Sequence, residues 1–124
     1  MYEIKLYYTE SGRSPVLDFI RKLSKQGKTK EIAQIRSYEK RLEEHGMAVN
    51  NIYPETIRNV REDIYELRPG GNRVFFFYFE NNEFILLHAY KKHGQKAPKN
   101  EIEKAINEMK DFKRRIENEK GVNV

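Results

Sequence analysis

A chain of 124 residues can build one hydrophobic core and has no length for a second. Lys and Arg number 24 against 19 Asp and Glu, a formal charge of +5, which permits an anionic partner without requiring one. The absence of cysteine excludes disulfides and thiolate metal sites and fits a reducing cytoplasm. No apolar run approaches the roughly 18 residues of a membrane span, and Glu3 with no apolar segment behind it argues against a secretory signal. Only His45, His88 and His93 are available as imidazoles, and no two lie at i, i+4, which argues against a zinc enzyme.

Tyr2 to Tyr8 alternates, with Tyr2, Ile4, Leu6 and Tyr8 opposing Glu3, Lys5 and Tyr7, and reads as a half-buried strand. Thr9 to Arg13 contains Ser11-Gly12 and reads as a turn. Ser14-Pro15 then opens a helix: the serine hydroxyl can accept from a free first-turn N–H, and proline at the first helical position lacks the N–H that would be orphaned. Val16, Phe19, Ile20 and Leu23 form its apolar stripe, and Gln26-Gly27 ends it. A second helix is expected from about Lys30 to His45, with Ile32, Ile35, Tyr38, Glu39 and Leu42 marking the period and Gly46 as its stop. The two helices should form a hairpin on the sheet. Met47 to Pro54 has no period, and Ile57 to Val60 could be a short strand.

The most ordered stretch runs from Ile64 to Lys92. A strand ending at Arg68 meets the turn Pro69-Gly70-Gly71-Asn72. Val74 to Phe79 is continuously apolar and therefore belongs at the centre of the sheet with both faces covered. After Glu80 to Glu83, a strand from Phe84 to Tyr90 should point Phe84, Leu86, His88 and Tyr90 to one face, with Lys92 in phase, and Ile85, Leu87 and Ala89 to the other. Gly94 to Pro98 breaks the pattern. Lys99 to about Asn118 forms a last helix with Ile102, Ala105, Ile106, Met109, Phe112 and Ile116 on one face, and Gly121 to Val124 should fray. The sum is one α+β domain of two layers, with a mostly antiparallel sheet of four to five strands, an N-terminal helical hairpin and a C-terminal helix.

Cationic residues gather at the strand ends: Arg68 closes one strand, Arg73 opens the next, Lys91 and Lys92 close the last, and Arg58 lies just upstream. The segments Ile64-Tyr65-Glu66-Leu67-Arg68-Pro69, Arg73-Val74-Phe75-Phe76, Leu86 to Lys92, Gln95 to Pro98 and Glu101 to Ala105, in that order, resemble the RelE/ParE toxin superfamily in its phage-derived, HigB-like branch. The opening strand and Ser14 to Phe19 fit the same pattern, so the resemblance covers nearly the whole chain. It implies a RelE-like fold and the toxin of a toxin–antitoxin pair. The implied activity is a ribosome-dependent, metal-independent mRNA endoribonuclease needing no cofactor. The ribose 2′-OH would attack the phosphodiester and leave a 2′,3′-cyclic phosphate and a 5′-OH. The implied partners are a cognate helix-turn-helix antitoxin, the ribosome and mRNA, with no membrane and with oligomers formed only through the antitoxin.

Carried onto this chain, the family's functional positions fall on Arg58, Arg68, Arg73, Lys92 and His93. Arg58 stands where the family usually has lysine, and a guanidinium holds its charge and cannot serve as a base. His93 stands where a second lysine is usual, and a histidine can exchange a proton near neutrality. Ala97 replaces the threonine that usually caps the last helix.

Internal attack by a 2′-OH needs a base for the hydroxyl proton, donors for the charge growing on the phosphoryl oxygens, and an acid for the leaving 5′-oxygen. Arg68 and Arg73 suit the donor role, because guanidinium gives paired hydrogen bonds to phosphate. Lys92 is a base or a charge stabiliser, with His93 the next proton carrier and His88 a weaker one. Tyr65 and Tyr90 could stack on RNA bases, and Lys91, Lys96 and Lys99 would draw RNA from a distance. Structural readings stand beside these: Arg68 could simply pair with Glu66 or with a helix acid, and His88, inside an apolar strand, reads more readily as a hydrogen-bonded core histidine. Two competing functions keep the fold: a ParE-like gyrase-binding toxin, and a non-catalytic phage or host RNA-binding module.

Overall fold

The structure is a computed structural model that describes residues 1–122, with side chains to Gly121. Its elements are strand β1 (Glu3–Leu6), helices α1 (Pro15–Lys25) and α2 (Thr29–His45), a 3₁₀ turn over Gly46–Asn51, strands β2 (Ile57–Arg61), β3 (Ile64–Leu67), β4 (Asn72–Tyr78) and β5 (Glu83–Lys91), and helix α3 (Lys99–Val122). The sheet has the order β1-β5-β4-β3-β2. β2 to β5 are joined by antiparallel pairing, whereas β1 lies parallel to β5, so the sheet is mixed.

Helices cover both faces, and the domain has three layers where two were expected. On one face α1 and α2 bury Val16, Leu23, Ile35 and Leu42 against Val74, Phe76, Phe84 and Leu86. On the other, α3 buries Ile102, Ala105 and Met109 against Phe75, Phe77, Ile85 and Leu87. The continuous apolar run of β4 follows from this: its alternate side chains enter two separate cores, and Val74 to Phe77 are fully buried. Ser14 caps α1 as expected, its Oγ accepting from the N–H of Leu17 at 3.2 Å.

The expected phase of β5 is corrected by a bulge. His88 pairs with Phe75, but Leu86 pairs with Phe76, so one extra residue of β5 is accommodated between them. Beyond that point the alternation flips. Leu87, His88 and Tyr90 face α3, while Phe84, Leu86 and Ala89 face the helix pair. Near the N-terminus Tyr7 lies on the face opposite Leu6, as the alternation predicts, but it is buried there against α3 while Tyr8 is exposed, and its hydroxyl donates to Asp111 Oδ2 at 2.6 Å. Burial first, and the Asp111 carboxylate second, push the Tyr7 phenol up to about 12. At the other end, α3 continues past Asn118 to Val122, and the fraying expected of residues 123–124 lies outside the described residues.

Candidate phosphate-binding site

β2 and β3 pair so that Arg58 stands directly opposite Glu66. The side chains two apart on a strand share a face, so Arg68 follows Glu66 on the α3 side. Arg73, at the start of β4, opposes Tyr90 of β5 on that same side. Cross-strand register alone therefore collects residues from four strands at one end of the sheet.

The centre of this group is Glu66, a residue only 1% exposed. Its Oε1 lies 3.4 Å from Arg58 Nη2 and 3.9 Å from Arg68 Nε, and its Oε2 lies 3.9 Å from Arg73 Nε. These are ion-pair distances, longer than hydrogen bonds. Glu66 Oε2 and Arg68 Nε are buried with no hydrogen-bond partner among the described residues. Three guanidiniums thus share one carboxylate, and the group keeps an excess of positive charge. The three differ in exposure: the Arg58 side chain is 45% exposed, Arg68 23% and Arg73 8%.

Arg73 is fixed most firmly. Its Nη1 donates to the carbonyl oxygens of Gly70 at 2.7 Å and Asn72 at 2.8 Å. Burial lowers its pKa from the ordinary guanidinium value; Glu66 opposes that shift, and Arg68 and Arg58 add to it. Tyr90 lies beneath the cluster, packed on Phe75 with ring centroids 5.3 Å apart. Burial, reinforced by Glu66, pushes its phenol up to about 12.

The segment after β5 closes over the same end. The Lys92 N–H donates to Gly71 O at 2.9 Å, which places its backbone beside the β3–β4 turn. Arg58 Nη2 approaches Gln95 O at 3.4 Å and ties that segment to β2. Lys92, His93 and Lys96 are all exposed on it, and no ion pair or side-chain hydrogen bond engages any of them among the described residues.

Several expected site residues stand elsewhere. Tyr65 faces the helix pair, stacked on Phe76 at 5.9 Å, on the face of the sheet opposite Glu66. Tyr90 is on the right face but is only 7% exposed, which closes its ring to a stacking base. Lys91 turns to α2, where its Nζ donates to Glu31 Oε1 at 3.2 Å. Asn72 Nδ2 reaches the same oxygen at 2.9 Å. His88 is a buried core residue: Nδ1 lies 2.5 Å from Glu108 Oε1 and Nε2 3.2 Å from Glu101 Oε1, both on α3. It fastens α3 to the sheet and contacts no arginine of the cluster. Glu66, by contrast, was read from sequence only as a possible partner of Arg68. The available signal was its phase, a carboxylate in step with Arg68 on a strand whose neighbours are Ile64 and Leu67.

What this arrangement can do chemically is bind an anion. Three forked donors from three strands converge, two of them held by the rigid end of a buried sheet, and one enclosed carboxylate offsets part of their mutual repulsion. No helix among the described residues is long and apolar enough to cross a membrane.

Among known proteins, the curated sequences yield no match to this chain. Against protein families, residues 18–110 match the phage-derived, Gp49-like proteins (DUF891). That match runs from the first turn of α1 to the middle of α3 and contains Arg58, Glu66, Arg68, Arg73, Lys92 and His93. The chain therefore belongs to the Gp49-like family of phage-derived proteins, a toxin-like family related to the RelE and HigB toxins.

Proposed function

We propose that this protein is the toxin of a toxin–antitoxin pair and cleaves ribosome-bound mRNA. The observation that carries this reading is the convergence of Arg58, Arg68 and Arg73 on Glu66 at one end of the sheet, with Lys92 beside the adjoining turn. In this reading the scissile phosphate enters above Glu66. Arg73 and Arg68 donate to the non-bridging oxygens, and Arg58, on the edge strand, closes the third side. As the 2′-oxygen attacks phosphorus, charge grows on those oxygens, and donors already fixed in place stabilise it without reorganising. Lys92 or His93, both exposed at the mouth, takes the 2′-proton or returns a proton to the leaving 5′-oxygen. The ribosome holds the codon in line for attack, so free RNA is a poor substrate. The proposed protein partner is a helix-turn-helix antitoxin whose acidic or helical segment covers the basic rim.

The test is cleavage of ribosome-bound mRNA, followed by primer extension and by analysis of the product ends. Arg68→Ala, at a side chain open enough to be lost without unfolding, should lower the rate by roughly 10²-fold or more, the scale for one fixed donor. Arg73→Ala should do at least as much, with circular dichroism confirming that the variant is folded. Products should carry a 2′,3′-cyclic phosphate and a 5′-OH. Parent-like cleavage by both folded variants would remove the arginines from the chemistry. Inhibition of gyrase supercoiling without any cleavage would replace the reading with the ParE-like one.

A further inference from the structure

The arginines of the cluster also form one wall of a second feature that the phosphate reading does not use. Where β3 turns into β4, a pocket of about 260 Å³ opens between the sheet end and α2. Arg68 and Arg73 line one side, Gln34 and Tyr38 of α2 the other, and Pro54, Glu55 and Gly70 complete it. Its volume falls below the range of about 300–1,000 Å³ usual for drug-sized ligands, so it suits one planar group rather than a whole metabolite.

The pocket is shaped from several directions. Gly70 has φ +63, and a Cβ there would stand 2.5 Å from Gln34 Oε1, so the missing side chain is what lets the Gln34 amide reach this position. Arg41, one turn further along α2, lies over the Tyr38 ring at 4.2 Å. Glu55 also has a left-handed backbone, φ 62, at a residue that carries a side chain. Such strain persists only where the surroundings enforce it. Gln34 and Glu55 are exposed and hydrogen-bond to no other side chain among the described residues. Arg68 Nε, which reaches Glu66 only at 3.9 Å, is buried and has no hydrogen-bond partner among the described residues. The pocket thus offers an amide with both a donor and an acceptor, an acceptor-only carboxylate, a tyrosine ring and two guanidiniums.

We infer that this pocket receives a nucleobase of the strand whose phosphate the arginines hold, and that Gln34 and Glu55 read its edge. The inference rests on the phosphate reading of the cluster, because Arg68 and Arg73 join the two sites. A carboxylate accepts from an exocyclic amino group, and an amide pairs with an adjoining donor and acceptor. Uracil has no exocyclic amine; the one donor on its pairing edge, N3–H, is flanked on both sides by carbonyl oxygens that a carboxylate repels. The pocket therefore discriminates against uracil and favours a base that carries an amino group.

The experiment titrates the full chain with inorganic phosphate, 3′-CMP, 3′-AMP and 3′-UMP, following backbone and side-chain amides by NMR. At least one amino-bearing nucleotide should bind about tenfold tighter than inorganic phosphate and than 3′-UMP, the gain expected of one well-placed pair. It should also shift the Gln34 side-chain amide and the Gly70 N–H. Gln34→Ala should erase that gain while leaving inorganic phosphate affinity unchanged, and Glu55→Gln should narrow the gap to 3′-UMP. If phosphate binds and no nucleotide binds tighter, or if Gln34→Ala keeps the gain, the base pocket is refuted and the phosphate site survives. If neither phosphate nor any nucleotide binds, the phosphate reading falls and the pocket falls with it.

Discussion

Glu66 sits where a negative charge would be most costly without partners and is instead the point on which three cations converge. A buried ion pair gains little over an apolar pair, but removing one member leaves the other charge stranded. Glu66→Gln should therefore destabilise the fold by about 3 kcal/mol, the lower end for breaking a buried pair, because Arg73 is nearly enclosed. Urea denaturation measures this. If the same end of the sheet binds anions, sulfate should stabilise Glu66→Gln more than the parent, since an added anion replaces the lost charge by mass action. An equal sulfate effect on both proteins would mean that Glu66 does not hold the guanidiniums in place for an anion. The two enclosed tyrosines make a separate prediction. Tyr7 and Tyr90 have phenols raised from 10.0 to about 12. The folded state binds those protons more tightly than the unfolded state, so their stabilisation is complete below pH 10 and is lost as pH rises through about 12. Unfolding free energy should fall across that window, and Tyr7→Phe or Tyr90→Phe should flatten the fall.

At the scale of elements, most of the fold was legible because its signals are local. Ser14-Pro15 marks the start of α1, the period of Ile32, Ile35 and Leu42 marks α2, and Pro69 to Asn72 marks the β3–β4 turn. What escaped were relations between elements. The parallel pairing of β1 with β5 joins residues about 80 apart, and no local signal specifies it. The β5 bulge escaped because the stretch from Phe84 to Leu87 is apolar throughout, so a slip of one residue leaves no mark on the pattern. The third layer was implied by the apolar run of β4 but conflicted with a two-layer reading, and the run proved the better guide. The cluster was legible in its three arginines and illegible in its anchor, because phase on β3 had to be combined with β2 and β4 register before Glu66 stood at the centre. One element junction can be tested directly. Gly46 ends α2 with φ 59 and ψ −146, a region open essentially to glycine alone. A Cβ there would fall 2.4 Å from the Tyr2 ring. The backbone term of Gly46→Ala is roughly 1–3 kcal/mol, and the clash adds to it by pushing β1 off α2. Thermal unfolding should show the loss, and Tyr2→Ala in the same chain should recover only the part due to the clash.

For the whole molecule, the net charge of +5 matters less than where the charge falls. Residues 100–124 are balanced in charge, whereas Lys91, Lys92, Lys96 and Lys99 follow one another with no acid among them. Of these, Lys91 is engaged by Glu31 and Lys99 lies 3.9 Å from Glu103, which leaves Lys92 and Lys96 as exposed cations on the segment that Arg58 ties to the cluster. A strand of RNA lying along this end would exchange condensed counterions for these side chains. Its affinity should fall with salt at a slope of about −0.7 for each phosphate neutralised. Binding of a short single-stranded RNA, measured over a range of potassium concentrations, should therefore show a slope that Lys92→Ala and Lys96→Ala each reduce by about 0.7. Lys120→Ala, at a position paired with Glu80 on the last turns of α3, should leave the slope unchanged. Equal effects at all three positions would mean that RNA is drawn by net charge alone, and the basic segment after β5 would lose its role as the approach to the arginines.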